Sequence, residues 1–238
     1  MNYELLNKGL LLKNKRKILV ISDVHIGYEE ALNKQGILIP RTQLKKIKQE
    51  LNKIFKKTGM INEIVINGDL KHEFGHVSSQ EWKDVLDFLG FLEKKCKKIV
   101  LIRGNHDIIL EPLARRKNMR IKEKYIVEDT AFIHGDKYDL AVLDKGIKRM
   151  VIGHKHPAIV IRKGARSETY KCFLIGKWKG KEIIILPSFF PLVEGTDITR
   201  EDRNLAFPFK LENFKAYVIG DKIYEFGKVK NVSWLVGE

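Results

Sequence analysis

The stretch KIVLIRGNHDII (98–109) joins a run of apolar, largely β-branched residues to Gly104, Asn105, His106 and Asp107. Such a run is typical of a strand buried on both faces. The four residues after it are poor strand formers that favour turns. Two interpretations follow. The turn either lets its polar side chains satisfy one another, or it brings a metal ligand and a proton donor into a site.

Apolar runs of strand length recur along the whole chain. Two amphipathic segments, 42–59 and 78–95, predict helices, and the first has Thr42 as its N-cap and Gly59 as its stop. The first half of the chain therefore alternates strand and helix, which favours parallel pairing, whereas the second half is mostly strand. A hairpin is predicted at Gly220 and Asp221. This order predicts an α/β fold of two packed sheets with helices outside, in a single domain spanning 1–238. The strand runs are 17–22, 63–67, 98–103, 131–135, 149–153, 158–162, 170–176, 182–187, 215–220 and 222–227.

The charge balance favours a polyanionic partner. The 238 residues include 45 Lys and Arg against 30 Asp and Glu, a formal charge of +15. A basic surface of this kind is typical of nucleic-acid binding, although the same Lys and Ile bias also accompanies A/T-rich genomes and growth at high temperature. The two cysteines, Cys96 and Cys172, have no metal-binding or disulfide spacing. With no signal peptide visible and no apolar run of membrane length, these features predict a cytoplasmic protein without a membrane span.

Five successive strand runs end on Asp, Asn or His. In open α/β sheets, ligands bind at the carboxyl ends of parallel strands, so these side chains can meet in one crevice. Each motif alone is more often a turn or a solvated loop. Together they suit a pair of borderline divalent metals such as Mn²⁺, Fe²⁺ or Zn²⁺. The residues are Asp23, His25, Asp69, Asn105, His106, Asp107, His134, His154 and His156.

The series D-x-H, G-D, G-N-H-D, H-G and G-H-x-H resembles the calcineurin-like metallophosphoesterase superfamily. Three longer stretches, 22–43, 67–75 and 186–198, resemble one branch of it. That branch holds archaeal phosphoesterases related to the repair nuclease SbcD and their bacterial ligase-associated relatives. The resemblance implies a four-layer α/β/β/α sandwich of two mixed sheets flanked by helices.

The resemblance also implies a ligand set for two divalent ions, with Mn²⁺ expected first and Fe²⁺, Ni²⁺ or Zn²⁺ as alternatives. Asp69 would bridge the two ions. One ion would be held by Asp23, His25 and His156, and the other by Asn105, His134 and His154.

His106 is the candidate proton donor for the leaving group, because it follows a ligand but is not one itself. Asp107 is predicted to accept from its other ring nitrogen and to fix its tautomer; a purely structural His106 is the alternative. His72 and Arg41 are candidate contacts for the substrate phosphate, against the alternatives of a solvent-facing loop histidine and an ordinary helix-start residue. Phe189 and Phe190 are expected in a loop over the site, where core packing is favoured over base stacking.

The leading functional hypothesis is a metal-dependent phosphodiesterase, nuclease-like, acting on nucleic acid or a nucleotide, with a DNA-repair protein as a candidate partner. A phosphomonoesterase acting on a small molecule or a phosphoprotein is the second hypothesis. The third is a metal-bound interaction module without turnover, as in the retromer subunit of this superfamily.

Overall fold

The computed structural model describes residues 2–13, 15–75, 77–163, 166–199 and 206–232, which form fifteen strands in two mixed sheets. The first sheet has six strands in chain order. They are β1 (Asn2–Leu6), β2 (Gly9–Lys13), β3 (Lys17–Ile21), β4 (Ile61–Asn67), β5 (Cys96–Ile102) and β6 (Ile121–Lys122). The first three strands pair antiparallel, and β3 to β6 pair parallel.

Helices connect the parallel strands of the first sheet, as the alternating pattern predicts. They are α1 (Tyr28–Lys34), α2 (Gln43–Thr58), α3 (Ser79–Glu93) and α4 (Glu111–Arg116), and a short α5 (Val229–Val232) lies near the C-terminus. The helix α2 ends at Gly59 as predicted, but Thr42 does not cap it through its side chain. Instead the Glu29 carboxylate accepts from the backbone N–H of Thr42 and of Gln43, at 2.8 and 2.9 Å.

The second sheet has its path in the order β13-β10-β11-β12-β9-β8-β7, and β14 pairs with β11 and β15. In this sheet β9 pairs parallel with both β8 and β12, and β10 pairs parallel with β13. The remaining pairs along the path are antiparallel. The predicted hairpin at Gly220 is confirmed between β14 and β15. The strands are β7 (Lys124–Val127), β8 (Thr130–Ile133), β9 (Arg149–Ile152), β10 (Pro157–Lys163), β11 (Arg166–Trp178), β12 (Lys181–Ile185), β13 (Thr196–Asp197), β14 (Lys215–Ile219) and β15 (Ile223–Lys228).

Buried apolar side chains form three layers. Between the sheets, Val65 and Val100 belong to the same cluster as Phe132 and Phe173. The opposite face of the first sheet packs on α2 and α3. The outer face of the second sheet is covered by α5 and by aromatic residues such as Phe214, beside the 3-10 helix Leu211–Asn213. Two mixed sheets flanked by helices confirm the predicted fold class. Among the described residues, no helix is long and apolar enough to span a membrane.

Candidate metal centre

Five strand ends meet where the two sheets face each other. The strands β3, β4 and β5 of the first sheet run parallel, as do β8 and β9 of the second. Asn67, at the end of β4, links the two sheets. Its side-chain amide donates to the carbonyl of Ile133 at 2.8 Å and to that of Val151 at 3.3 Å. The loops that follow these strands therefore open into one crevice, as the sequence predicts.

Two groups of candidate ligands meet in this crevice and share one residue. In each group, one ligand atom per residue lies within 4.8 Å of all the others, and Asp69 belongs to both. His134 Nε2 lies 3.3 Å from Asp69 Oδ2 and 3.1 Å from Asn105 Oδ1, so the amide oxygen joins the second group. The structure thus brings all seven predicted ligands together. The first group is Asp23, His25, Asp69 and His156, and the second is Asp69, His134 and His154.

The surroundings of these side chains fit a bound cation. Asp23 and Asp69 are buried, and among the described residues no Lys or Arg forms an ion pair with either. His25 Nε2 faces His156 Nε2 at 3.4 Å, and the buried His25 Nδ1 has no hydrogen-bond partner in the described part of the chain. Buried charges are normally paired or bound to a metal. Imidazole and carboxylate donors together suit borderline divalent ions.

The backbone at the candidate ligands is strained. Five of them adopt left-handed φ angles between 48° and 64°, a region that non-glycine residues rarely occupy. Strain of this kind persists only where the surrounding structure over-determines it, and it clusters at functional sites. The loops therefore hold these side chains toward the crevice at a cost in backbone conformational energy. The five are Asp23, His25, Asp69, His154 and His156.

Two glycines let the loops approach this closely. A Cβ at Gly104 would lie 2.1 Å from Asp69 Oδ1, and a Cβ at Gly68 would lie 2.1 Å from His134 Nδ1. Gly68 also has a φ of 88°. Gly104 therefore begins the G-N-H-D turn because Asp69 occupies the space that a side chain would need.

Burial and mutual charge set the protonation of the cluster. Burial lowers the pKa of His25 to about 3, which keeps its imidazole neutral and able to bind a metal. Burial acts in the same direction on His134, but its hydrogen bond to Asp69 and the charge of Asp23 outweigh it and raise its pKa to about 10. Burial opposes ionisation of Asp23, yet His156 and His134 hold its pKa below the ordinary range. In the metal-free protein, the proton on His134 thus lies where a cation would bind.

His106 lies beside Asp69, the carboxylate that both candidate groups contain. Its backbone N–H donates to Asp69 Oδ1 at 2.9 Å, and its Nε2 lies 4.0 Å from Asp69 Oδ2. Its Nδ1 contacts the backbone carbonyl of His72. Because a carbonyl only accepts, this contact places a proton on Nδ1 and leaves Nε2 facing the cluster.

Asp107 does not orient His106, and this corrects the prediction. The carboxylate is buried, and its two oxygens accept from three backbone N–H groups: Leu70 at 3.1 Å, Lys71 at 3.3 Å and Gly104 at 3.0 Å. Burial and the nearby Asp69 raise its pKa to about 7. Asp107 therefore ties the loop after β5 to the loop after β4, and the His72 carbonyl takes the orienting role.

Replacing Asp107 by Ala should destabilise the whole crevice. The change leaves three buried N–H groups without acceptors, and an unsatisfied buried donor costs about 1–3 kcal/mol. We expect Asp107→Ala to lower the free energy of unfolding of the metal-free protein by about 3 kcal/mol, measured by chemical denaturation. Asp87→Ala, on the outer surface of α3, is the control. Normal stability with a selective loss of turnover would instead restore the predicted orienting role.

The two predicted phosphate contacts have different surroundings. The half-buried His72 ring lies against Tyr28, with centroids 4.8 Å apart, and against His25 at 5.6 Å. It also lies in a third group of close nitrogen atoms, with His25 and His106. Arg41 is exposed and pairs with Glu30, in a surface cavity of about 460 Å³ between α1, α2 and α3. The structure therefore places His72 beside the candidate ligands, whereas Arg41 contacts none of them.

Several residues that support the site were not predicted from the sequence, because their contacts join distant parts of the chain. Glu81 on α3 is buried, and its Oε1 accepts from the N–H of His72 at 2.9 Å and of Glu73 at 3.1 Å. It thereby holds the loop whose carbonyl contacts His106. Gln43 on α2 donates to the carbonyl of His25 at 2.7 Å. An amide or carboxyl that begins an amphipathic helix carries no local sign of such a role.

The segment that contains Phe189 and Phe190 packs beside the candidate ligands. Phe189 and Phe190 are buried, and their N–H groups donate to the carbonyls of Ser22 at 2.8 Å and Asp23 at 3.1 Å. The buried Lys171 donates to Ser188 Oγ and to the carbonyl of Phe190, both at 2.6 Å. Phe190 lies edge-on to His25, with centroids 5.6 Å apart. Core packing, the favoured interpretation, describes both phenylalanines.

The calcineurin-like phosphoesterase family model matches residues 16–223. The chain belongs to this family. The nuclease MPE of Pseudomonas putida superposes with a TM-score of 0.67 at 21% identity, over 94% of this chain and 100% of that one. At this identity the match shows the fold alone. No curated protein sequence matches the chain.

Two further solved structures match more weakly. The Escherichia coli phosphoesterase YfcE has a TM-score of 0.39 at 18% identity, covering 72% of this chain and 79% of that one. Vps29 of Entamoeba histolytica complexed with Zn²⁺ has a TM-score of 0.38 at 15% identity, covering 88% and 99%. Matches below a TM-score of 0.5 add nothing to the fold assignment.

Proposed function

We propose that this phosphoesterase hydrolyses phosphodiester bonds of nucleic acid or nucleotides with two divalent ions, Mn²⁺ first among them. The observation that carries the proposal is the pair of ligand groups sharing Asp69, with His106 Nε2 at 4.0 Å from that same carboxylate. Asp69 would bridge the ions, with Asp23, His25 and His156 on one side and Asn105, His134 and His154 on the other. Two such ions would lower the pKa of a water and neutralise charge on the phosphate oxygens.

The protein's own contribution to the reaction is the proton for the leaving group. His106 would give the proton on Nε2 to the departing alkoxide oxygen, while the His72 carbonyl keeps the proton on Nδ1 in place. The imidazoles of the candidate ligands would be unavailable, because in each the ring nitrogen that faces the crevice would be bound to metal. Glu81 fixes the loop that carries this carbonyl, so the ring is held before substrate binds.

The charge of the chain supports a polyanionic substrate. A formal charge of +15 attracts nucleic acid from solution, and such binding weakens steeply as salt rises because counterions are released. The resemblance of 22–43, 67–75 and 186–198 to the SbcD-related and ligase-associated branch supports the same substrate class. It also supports a DNA-repair protein as partner. The two buried free cysteines accord with a cytoplasmic location, which is part of the proposal.

A metal-by-substrate screen tests the proposal. Metal-free protein is supplied with Mn²⁺, Ni²⁺, Fe²⁺, Zn²⁺ or Mg²⁺ and assayed on an aryl diester, the matching monoester, cyclic nucleotides and single-stranded DNA. We expect activity with Mn²⁺, a diester rate at least about tenfold above the monoester rate, and DNA cleavage whose KM rises with salt. A monoester preference without salt dependence would identify a phosphomonoesterase instead. DNA binding without hydrolysis under any metal would identify an interaction module.

A further inference from the structure

Aromatic rings line one side of the candidate centre in an unbroken series. Consecutive ring centroids are 4.9 Å apart from Phe190 to Tyr28, 4.8 Å from Tyr28 to His72, 5.5 Å from His72 to His106 and 3.7 Å from His106 to Phe74. We call these five rings the aromatic wall. It begins at the buried Phe190 and ends at the exposed Phe74.

Phe74 is the unusual member of the wall. Its ring is tilted by only 32° from that of His106, yet 51% of the residue is exposed. Ile108 and Ile109, just after the G-N-H-D turn, are also exposed. Exposed apolar side chains beside a candidate catalytic group leave hydrophobic surface in water, which monomeric proteins normally keep small unless a ligand covers it.

We infer that Phe74 is a specificity-determining residue that stacks on the base of the leaving nucleoside of a single-stranded substrate. The inference rests on the proposed function, because it assigns His106 to the leaving group. The base of the departing nucleoside would lie on the His106 side of the phosphate, and the half-exposed Phe74 ring lies against His106. Stacking on an aromatic side chain is the sequence-tolerant way in which proteins hold single-stranded bases. The formal charge of +15 favours a nucleic-acid strand over a neutral aromatic ligand.

A simple cover for His106 is the competing role for Phe74. A cover would act on every substrate alike, because it touches only the imidazole. A stacking platform acts only when a base is present on the leaving side. Substrates with the same scissile bond, with and without the base on the leaving side, therefore distinguish the two roles.

Dinucleotides with an abasic residue on either side of the phosphate provide this test, with Mn²⁺-loaded wild-type protein, Phe74→Leu and Phe74→Tyr. We expect Phe74→Leu to raise KM about tenfold or more when the leaving nucleoside carries a base, with kcat changed by less than about threefold. On the dinucleotide that lacks this base, KM should be unchanged. The tyrosine variant should restore wild-type values. Met60→Ala is the control, because Met60 is 65% exposed and precedes β4, at the end of the strand opposite Asp69.

Three outcomes would overturn the inference. A loss of kcat that is equal with and without the base would make Phe74 a cover for His106. An unchanged KM in Phe74→Leu would show that no base stacks there, although the diesterase activity itself would stand. Failure of the wild-type protein to cleave any dinucleotide, in a preparation that binds Mn²⁺, would reject the proposed function and the inference with it.

Discussion

His106→Ala should retain its metal and lose turnover. Removing the proton donor leaves the seven candidate ligands in place, so bound Mn²⁺ per chain should match the wild-type value. General acid catalysis typically contributes about 10²–10⁴-fold, and we expect a loss of kcat in that range for diesters with an alkyl leaving group. An aryl diester with a nitrophenolate leaving group needs little protonation, so its loss should stay below about tenfold. The measurement is kcat for both substrates alongside elemental analysis of the protein.

His72→Ala is the matched control for this prediction. It removes a neighbouring imidazole but keeps the backbone carbonyl that contacts His106 Nδ1. We expect kcat for the alkyl diester to fall by less than about tenfold, with any larger effect on KM. Full activity of His106→Ala on the alkyl diester would reject the proton-donor role. Loss of bound metal in that variant would make His106 a ligand rather than an acid.

Asp69→Asn should weaken metal binding at both groups together, because both contain this carboxylate. Replacing an outer-shell partner of a metal ligand typically costs 10–100-fold in affinity, and a shared ligand should cost at least about 100-fold. At a Mn²⁺ concentration of 100 times Kd, each bound ion stabilises the native wild-type protein by about 2.7 kcal/mol. In the variant the gain from each ion should fall to about 0.4 kcal/mol, since the Mn²⁺ concentration is then only near its Kd. Thermal unfolding with and without Mn²⁺ measures this stabilisation for the wild-type protein and for the variant.

Asp87→Asn is the control for Asp69→Asn, because Asp87 pairs with Lys48 on the protein surface. It removes one acidic charge without touching the crevice, so its Mn²⁺-dependent stabilisation should equal that of the wild-type protein. If Asp69→Asn kept the full Mn²⁺-dependent stabilisation, the shared-ligand arrangement would be wrong.

The sequence predicts the fold and the convergence of the strand ends well, for a physical reason. Buried parallel strands need continuous apolar runs, and their carboxyl ends must share one edge. Asp69 follows one such run and Asn105 another, so their meeting is a consequence of topology rather than of local detail. The metal assignment of these residues stays a prediction.

The supporting contacts could not be predicted in the same way. The error over Asp107 arose because its partners, Leu70 and Lys71, lie more than 30 positions away in another loop. Glu29, which caps α2 from an earlier helix, is equally invisible to local patterns. Periodicity and capping rules describe a segment with its own neighbours, whereas these contacts depend on how separate loops pack. Loop packing also determines that His72 lies beside the candidate metal ligands and that Arg41 lies away from them.

The most direct test of the two-ion diesterase is a titration of metal-free protein with Mn²⁺, following bound metal and diester hydrolysis in the same samples. We expect two ions per chain at saturation, with hydrolysis rising as the second ion binds and absent without metal. Saturation of both binding and activity at one ion would contradict the shared role of Asp69. Two bound ions with no diester hydrolysis would contradict the proposed reaction.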